Sequence, residues 1–314
     1  MIEVLLNVSL ASLILGLAAW TVLARDAFAA AAGFVAYGLL LTLVWMQLHG
    51  ADVALTEAAI GGGLTGAMLI AAATRLRSTE AEASAERPRT GTRLIAAALA
   101  ATVALALALC VLVLPVPVPT LAPAVAANMD VTGVGNPITA VLLAFRAIDT
   151  LLEAIVLLFA LIGVWSLASD ACWNGRPGLR QACDPDGLLV YAARILAPLG
   201  IVVGTYIFWI GADHPGGKFQ GATIMAAMWL LVVMAGLADA PPIERRWLRG
   251  LLVAGPLAFV AVGLAGAVAA GAFLAYPPAF AKPMILVIEF ALMPTLTLIL
   301  GLMLLGAPRR GAMP

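Results

Sequence analysis

FRAIDTLLEAIVLLFALIGVWSLA, residues 145–168, opens with three ionisable side chains and then runs uncharged to its end. A hydrocarbon core of about 30 Å takes roughly 20 helical residues, so the run is long enough to cross a bilayer. Arg146, Asp149 and Glu153 would each cost about 2.5–3.5 kcal/mol facing lipid at a helix centre. They must therefore face protein, water or one another.

The rest of the chain has the same character. Its 314 residues are 63% hydrophobic and only 11% charged, with a mean hydropathy of +1.07, whereas a soluble domain carries roughly 25% charged residues. Apolar runs of crossing length fall near 3–23, 27–48, 51–73, 93–114, 147–168, 188–211, 219–238, 250–271 and 283–306. The expected fold is an all-α polytopic transmembrane bundle of nine spans. The first run carries Glu3 and no Lys or Arg at its start, which argues for a retained helix rather than a signal peptide. Trp20, Trp45, Trp165, Trp209, Trp247 and Tyr276 lie near expected span ends, as interfacial aromatics do, while Trp229 is mid-span.

Basic residues set the expected orientation. Alternate loops hold Arg25; Arg75, Arg77, Arg87, Arg89 and Arg93; Arg176 and Arg180; Arg245, Arg246 and Arg249; and Arg309 and Arg310. The opposite loops hold only Lys218 and Lys282. The N-terminus is thus expected outside and the C-terminus in the cytoplasm, in a multi-pass protein of the cytoplasmic (inner) membrane.

Three breaks divide the chain. Segment 74–92 reads as a solvated cytoplasmic loop, 115–136 with Pro115, Pro117, Pro119 and Pro123 as a polyproline-like outer excursion, and 169–187 as a further loop. The expected modules are 1–92 with three spans, 93–187 with two and 188–314 with four. The helical pattern after Pro137 is longer than one crossing needs, so an interfacial piece near 137–146 is expected before the crossing helix. Cys110, Cys172 and Cys183 lack the spacing and histidine company of a metal site and read as reduced thiols.

Four polar constellations stand out. Arg146, Asp149, Thr150 and Glu153 follow i, i+3 and i, i+4 spacing and are expected on one helical face, either as a self-neutralised docking pair or as part of an ion or proton route. Asp52 and Glu57 begin the third span, followed by Gly61, Gly62 and Gly63 and by the Gly62–Gly66 GxxxG pair. Those glycines favour close helix packing, and they also permit a bend or bulge beside an acid. The turn between spans six and seven, Gly211 to Gly221, gathers Asp213, His214 and Lys218. Glu289 lies in the last span between Pro283 and Pro294, and Arg194 is expected to snorkel near the cytoplasmic end of its span. By span direction Glu57, Asp149, Glu153, Glu289 and the Asp213–His214 turn all belong to the outer half, which suggests a polar half-pathway open outward.

These residues carry a resemblance. Residues 52–61, DVALTEAAIG, resemble the small membrane subunit of membrane-bound hydrogenases, which matches the C-terminal extension of the large A-type subunit of Mrp-type Na+/H+ antiporters. Residues 145–153 are similar to the next piece of that extension, usually F-R-G-F-D-T-L-G-E, with Ala147, Ile148 and Leu152 in place of Gly, Phe and Gly. The pattern Ala193-Arg194-Ile195-Leu196, Pro198, Gly204, Tyr206, Gly211, Pro215-Gly216-Gly217, Phe219 and Gly221 resembles the B-type subunit of Mrp antiporters, with Lys218 and Ala222 replacing glycines.

The resemblance implies a fused accessory subunit of a complex that couples H+ movement to Na+ transport, with large antiporter-like subunits as partners. In that reading Glu57 and Glu153 are ion-site candidates, Asp149 and Arg146 tune them, and Gly61 to Gly63 form a joint. A structural subunit of a related, hydrogenase-like respiratory complex is the alternative. No phosphate-binding loop, zinc spacing or nucleophile triad is visible, so neither an enzyme nor a nucleic-acid binder is expected. A haem anchor is disfavoured because His49 and His214 both lie near outer span ends, and no cofactor or metal is expected.

Overall fold

Apolar runs with few polar interruptions become helices here because a lipid-facing backbone must satisfy its own hydrogen bonds. In the computed structural model, which describes residues 1–83, 90–173, 175–178 and 182–309, the first hairpin pairs α1 (Ile2–Leu23) with α2 (Ala27–Gln47). Asp26 caps α2 by accepting from the Ala29 N–H at 2.7 Å. The third run starts as α3 (Ala51–Thr56), passes through a π-helical stretch at Glu57–Thr65 and ends as α4 (Gly66–Ala83). The bulge expected from the three glycines is therefore nine residues long.

α5 (Thr90–Val113) follows, then the short α6 (Ala122–Ala127). α7 (Pro137–Ala140) leads through a π turn at Val141–Phe145 into α8 (Ala147–Ser166). α9 (Leu188–Ile210), α10 (Lys218–Met234), α11 (Arg246–Ala270) and α12 (Ala281–Leu305) complete the chain.

Each of the nine expected runs coincides with a helix. Among the described residues eight helices are long and apolar enough to cross a membrane, and α10 is shorter at 17 residues. Gly217 and the positive-φ Gly236 bound it. Two loop expectations are corrected. Residues 74–83 continue α4 as helix, and 115–136 contains α6 instead of a continuous polyproline-like run. Residues 84–89 of the first loop, with Arg87 and Arg89, lie outside the described residues, as do Arg180 and Arg310.

The core is built around α12, where Ile285, Ile288, Leu292, Leu296 and Ile299 are wholly buried against α8, α10 and α11. Small residues let backbones approach: a Cβ on Gly221 of α10 would lie 2.7 Å from the Gly204 carbonyl of α9. α2 packs on the π stretch and α4, and α10 reaches the same stretch to join the front of the chain to the back. α5 buries none of its residues.

Polar contacts mark two ends of the bundle. At one end Arg176 pairs with Asp239 at 2.5 Å, and strand β1 (Arg176–Pro177) meets strand β2 (Pro308–Arg309) antiparallel. At the other end the starts of α3, α7, α10 and α12 meet the turn between α9 and α10.

Candidate functional site

The α9–α10 turn is folded by its glycines. Gly216 and Gly217 take φ of 146° and 136°, conformations that L side chains rarely adopt, and a Cβ on Gly216 would strike the Ile207 carbonyl. Pressed in this way, the turn delivers backbone groups to Asn136 and Asp52. Asn136 stands just before Pro137, and its side-chain oxygen caps α7 by accepting from the Ile138 N–H at 2.9 Å. Its amide donates to Asp52 Oδ1 at 3.2 Å and to the carbonyls of Gly211 and His214 at 3.2 and 2.9 Å. Asp52 Oδ1 also accepts from the Gly216 N–H at 3.0 Å. Thr139 donates to the Gly211 carbonyl at 2.6 Å, and Gln220 donates to Thr56 Oγ1 at 2.8 Å. The unpaired backbone of an irregular turn is thereby satisfied by side chains from α3 and from the start of α7.

Behind this network lies a buried ion pair. Lys218, the first residue of α10, is 3% exposed and Glu289 of α12 is 2% exposed, with Nζ and Oε1 3.7 Å apart. Glu153 of α8 is solvent-exposed in this chain and lines the same groove as Lys218. Lys218, Glu289, Glu153 and Asp52 line one groove of about 260 Å³. Three carboxyl groups thus share this groove with one ammonium.

A second cavity of about 160 Å³ lies between α9 and α12 and is lined by Phe208, Trp209, Asp213, Lys282, Phe290 and, again, Glu289. Glu289 thus borders both spaces. At the mouth, Lys282 Nζ donates to Asp213 at 2.8 and 2.9 Å, and the Gly135 N–H donates to Asp213 Oδ1 at 2.9 Å. The Lys282 hydrogen bond above all holds the Asp213 carboxyl below the usual carboxylate range; partial burial works against it and the Gly135 N–H adds to the lowering.

A lowered carboxyl pKa stabilises the fold above the ordinary aspartate range, about pH 4, and that contribution fades as pH falls through the lowered value. Asp213→Asn is therefore expected to unfold slightly more easily than wild type at neutral pH, by at most about 1 kcal/mol for so exposed a pair. In thermal melts the two proteins should converge in acid. A gap that widens in acid contradicts this.

The expected site residues separate into three groups. Asp52, Glu153, Lys218 and Glu289 meet in the groove. Lys218 is not at a solvated span end, as its Gly-Pro surroundings suggested, but buried under the turn. Arg146 and Asp149 pair at 2.6 Å on the outside, with side chains 70% and 46% exposed. They do not continue one helical face from Arg146 to Glu153, because Arg146 is non-helical, at φ −132° and ψ 36°, and α8 begins only at Ala147. Thr150 turns inward and donates to the Leu142 carbonyl at 2.6 Å, a contact that only a sharp bend between α7 and α8 permits. This confirms the separate piece expected before the crossing helix.

Glu57 lies apart from the groove. A Cβ on Gly61 would strike its carboxylate and one on Gly38 of α2 would lie 3.2 Å from it, so Gly61 makes room for the acid. Gly62 is buried against α2, and a Cβ on Gly66 would strike Val35, so this pair serves packing. The His214 side chain is exposed and only its carbonyl takes part in the network. Asn136, Thr139 and Gln220 were not anticipated from sequence; the Asn-Pro dipeptide at 136–137 was the one local signal for an anchored cap.

Comparison with known proteins gives two family matches. Residues 12–78 match the MbhD family, described as the D subunit of MBH. Residues 188–307 match the domain related to the MnhB subunit of the Na+/H+ antiporter. An uncharacterised protein of Methanocaldococcus jannaschii is 27% identical over 154 residues, 44% of this chain and 59% of that protein. A chain of the Mrp complex from Dietzia sp. superposes with a TM-score of 0.71 at 25% identity, covering 97% of this chain and 35% of that one. A chain of the membrane-bound sulfane sulfur reductase, an archaeal respiratory membrane complex, shares the fold with a TM-score of 0.51 at 24% identity, covering 68% of this chain and 98% of that one. This chain thus spans little more than half of its curated relative and about a third of the Mrp chain.

Proposed function

Since this chain is a membrane-subunit fusion of the Mrp and MBH antiporter type, we propose that its groove forms a section of a proton or Na+ path in a multi-subunit complex. The observation that carries the reading is the placement of Glu153 beside the buried Lys218–Glu289 pair, with Glu289 bordering a second cavity whose mouth holds Asp213 and Lys282. Ionisable groups inside apolar helices are costly and persist where they handle ions or dock partners. In this reading Glu153 exchanges the ion, Glu289 and Lys218 set the local field, and Asp213 and Lys282 guard the entrance. Asp52 holds the turn in place.

The end carrying Arg25, Arg75, Arg77, Arg176, Arg245 and Arg309 is proposed as cytoplasmic and the groove end as outer, in the cytoplasmic membrane of the cell. Other membrane subunits, large antiporter-like ones included, are the proposed partners and supply the remaining transport machinery.

A second reading, assembly without conduction, is favoured by α5, whose apolar surface is entirely uncovered within this chain. Replacing Glu153 by Gln in the assembled complex separates the two. Conduction through the groove predicts that ion-driven pH change in vesicles slows at least about tenfold, equivalent to about 1.4 kcal/mol in the barrier. An unchanged rate in a fully assembled variant leaves only the assembly role.

A further inference from the structure

Lys218 is in an expensive position for an ammonium. It is the first residue of a 17-residue helix, where the positive end of the helix dipole repels a cation, and α10 has no acid in its first turn to compensate. It is also 3% exposed. What surrounds it comes from other elements and from its neighbour in sequence: Glu289 of α12, Glu153 of α8 across the shared groove, and the ring of Phe219, whose centroid is 5.6 Å from Nζ. Asp52, the remaining acid of the groove, is already engaged by Asn136 and the Gly216 N–H.

The Nζ to Glu289 Oε1 separation of 3.7 Å is longer than a direct hydrogen bond, so the ammonium is not clamped onto one carboxylate. It stands as a positive centre held by the field of two. Oxygen-lined, acid-rich cavities are what hard metal cations bind, and without the lysine side chain the groove would offer two carboxylates in a space already about 260 Å³ in volume.

We propose that the Lys218 ammonium is a tethered cation that occupies the groove's cation position between Glu153 and Glu289, excludes free Na+ from it, and leaves the proton as the ion this section handles. This inference rests on the groove being part of an ion path, and it names which ion. The lysine is a specificity determinant: it supplies the charge that a bound Na+ would supply, and its covalent tether keeps it from being carried away.

Equilibrium binding of radioactive Na+ to the purified assembled complex tests it. Wild type is expected to show no Na+ site that depends on Glu153. Lys218→Ala removes the ammonium and vacates its volume, and a saturable Na+ site should appear that is lost again in Lys218→Ala/Glu153→Gln. If Lys218→Ala does not assemble, wild type against Glu153→Gln decides, with equal Na+ binding expected. Either a Lys218→Ala complex that gains no Na+ site or a wild-type site abolished by Glu153→Gln overturns the proposal. Transport that is indifferent to Glu153→Gln would instead remove the path reading, while a gained Na+ site would still identify the lysine as the occupant of a cation position.

Discussion

Glu289→Gln lowers the stability of the detergent-purified protein by about 3–5 kcal/mol, the largest loss expected from any single polar substitution in the bundle. The reason is asymmetric. Glu289 and Lys218 are both almost wholly buried, and a neutral partner leaves the ammonium without its closest counter-charge in a medium that solvates it poorly. Replacing both by apolar residues of similar size, Lys218→Met with Glu289→Leu, removes the stranded charge and should recover most of the loss. Denaturant unfolding of the two single variants and the double gives the coupling directly. Additive losses would mean that the two side chains do not act as a pair.

Asp52→Ala is the second large effect, about 1–3 kcal/mol. Its Oδ1 accepts from the Asn136 amide and from the Gly216 N–H, so its removal orphans the buried Gly216 N–H and takes one of three acceptors from the Asn136 amide. The turn over Lys218 should loosen as well, and hydrogen exchange across residues 211–217 should accelerate. Asp149→Asn is the contrasting substitution. Its pair with Arg146 is exposed, and stability should change by less than about 1 kcal/mol. If the exposed acid proves as costly as the buried one, the assignment of structural weight to the turn network is wrong.

Much of the fold was legible because lipid imposes simple rules. Each of the nine apolar runs is helical among the described residues, and the glycines at 61–63 lie in a π-helical stretch that brings Gly62 and Gly66 against α2. The break before α8 was legible from excess length. Its sharpness was not, since Arg146 leaves the helical conformation without a proline to announce it. The spacing argument for a shared face from Arg146 to Glu153 failed for that reason.

The groove was legible only in part. Glu153 and Glu289 stood out as acids in apolar helices, whereas Lys218 looked like a loop residue because it follows Pro-Gly-Gly. Its burial depends on Glu289, 71 residues later in the chain, on Glu153 and on a turn held by Asn136 and Asp52. No local pattern encodes such a meeting. Glu57 shows the converse: it is a conspicuous intramembrane acid by sequence, yet it faces Gly61 and Gly38 instead of the groove.

The most direct test of the central claim is the initial rate of ion-driven pH change in proteoliposomes holding the intact complex, compared among wild type, Glu153→Gln and Glu57→Gln. A path through the groove predicts that Glu153→Gln slows transport at least about tenfold while Glu57→Gln stays within about twofold of wild type. Normal transport by an assembled Glu153→Gln complex, or a larger loss from Glu57→Gln, would contradict it.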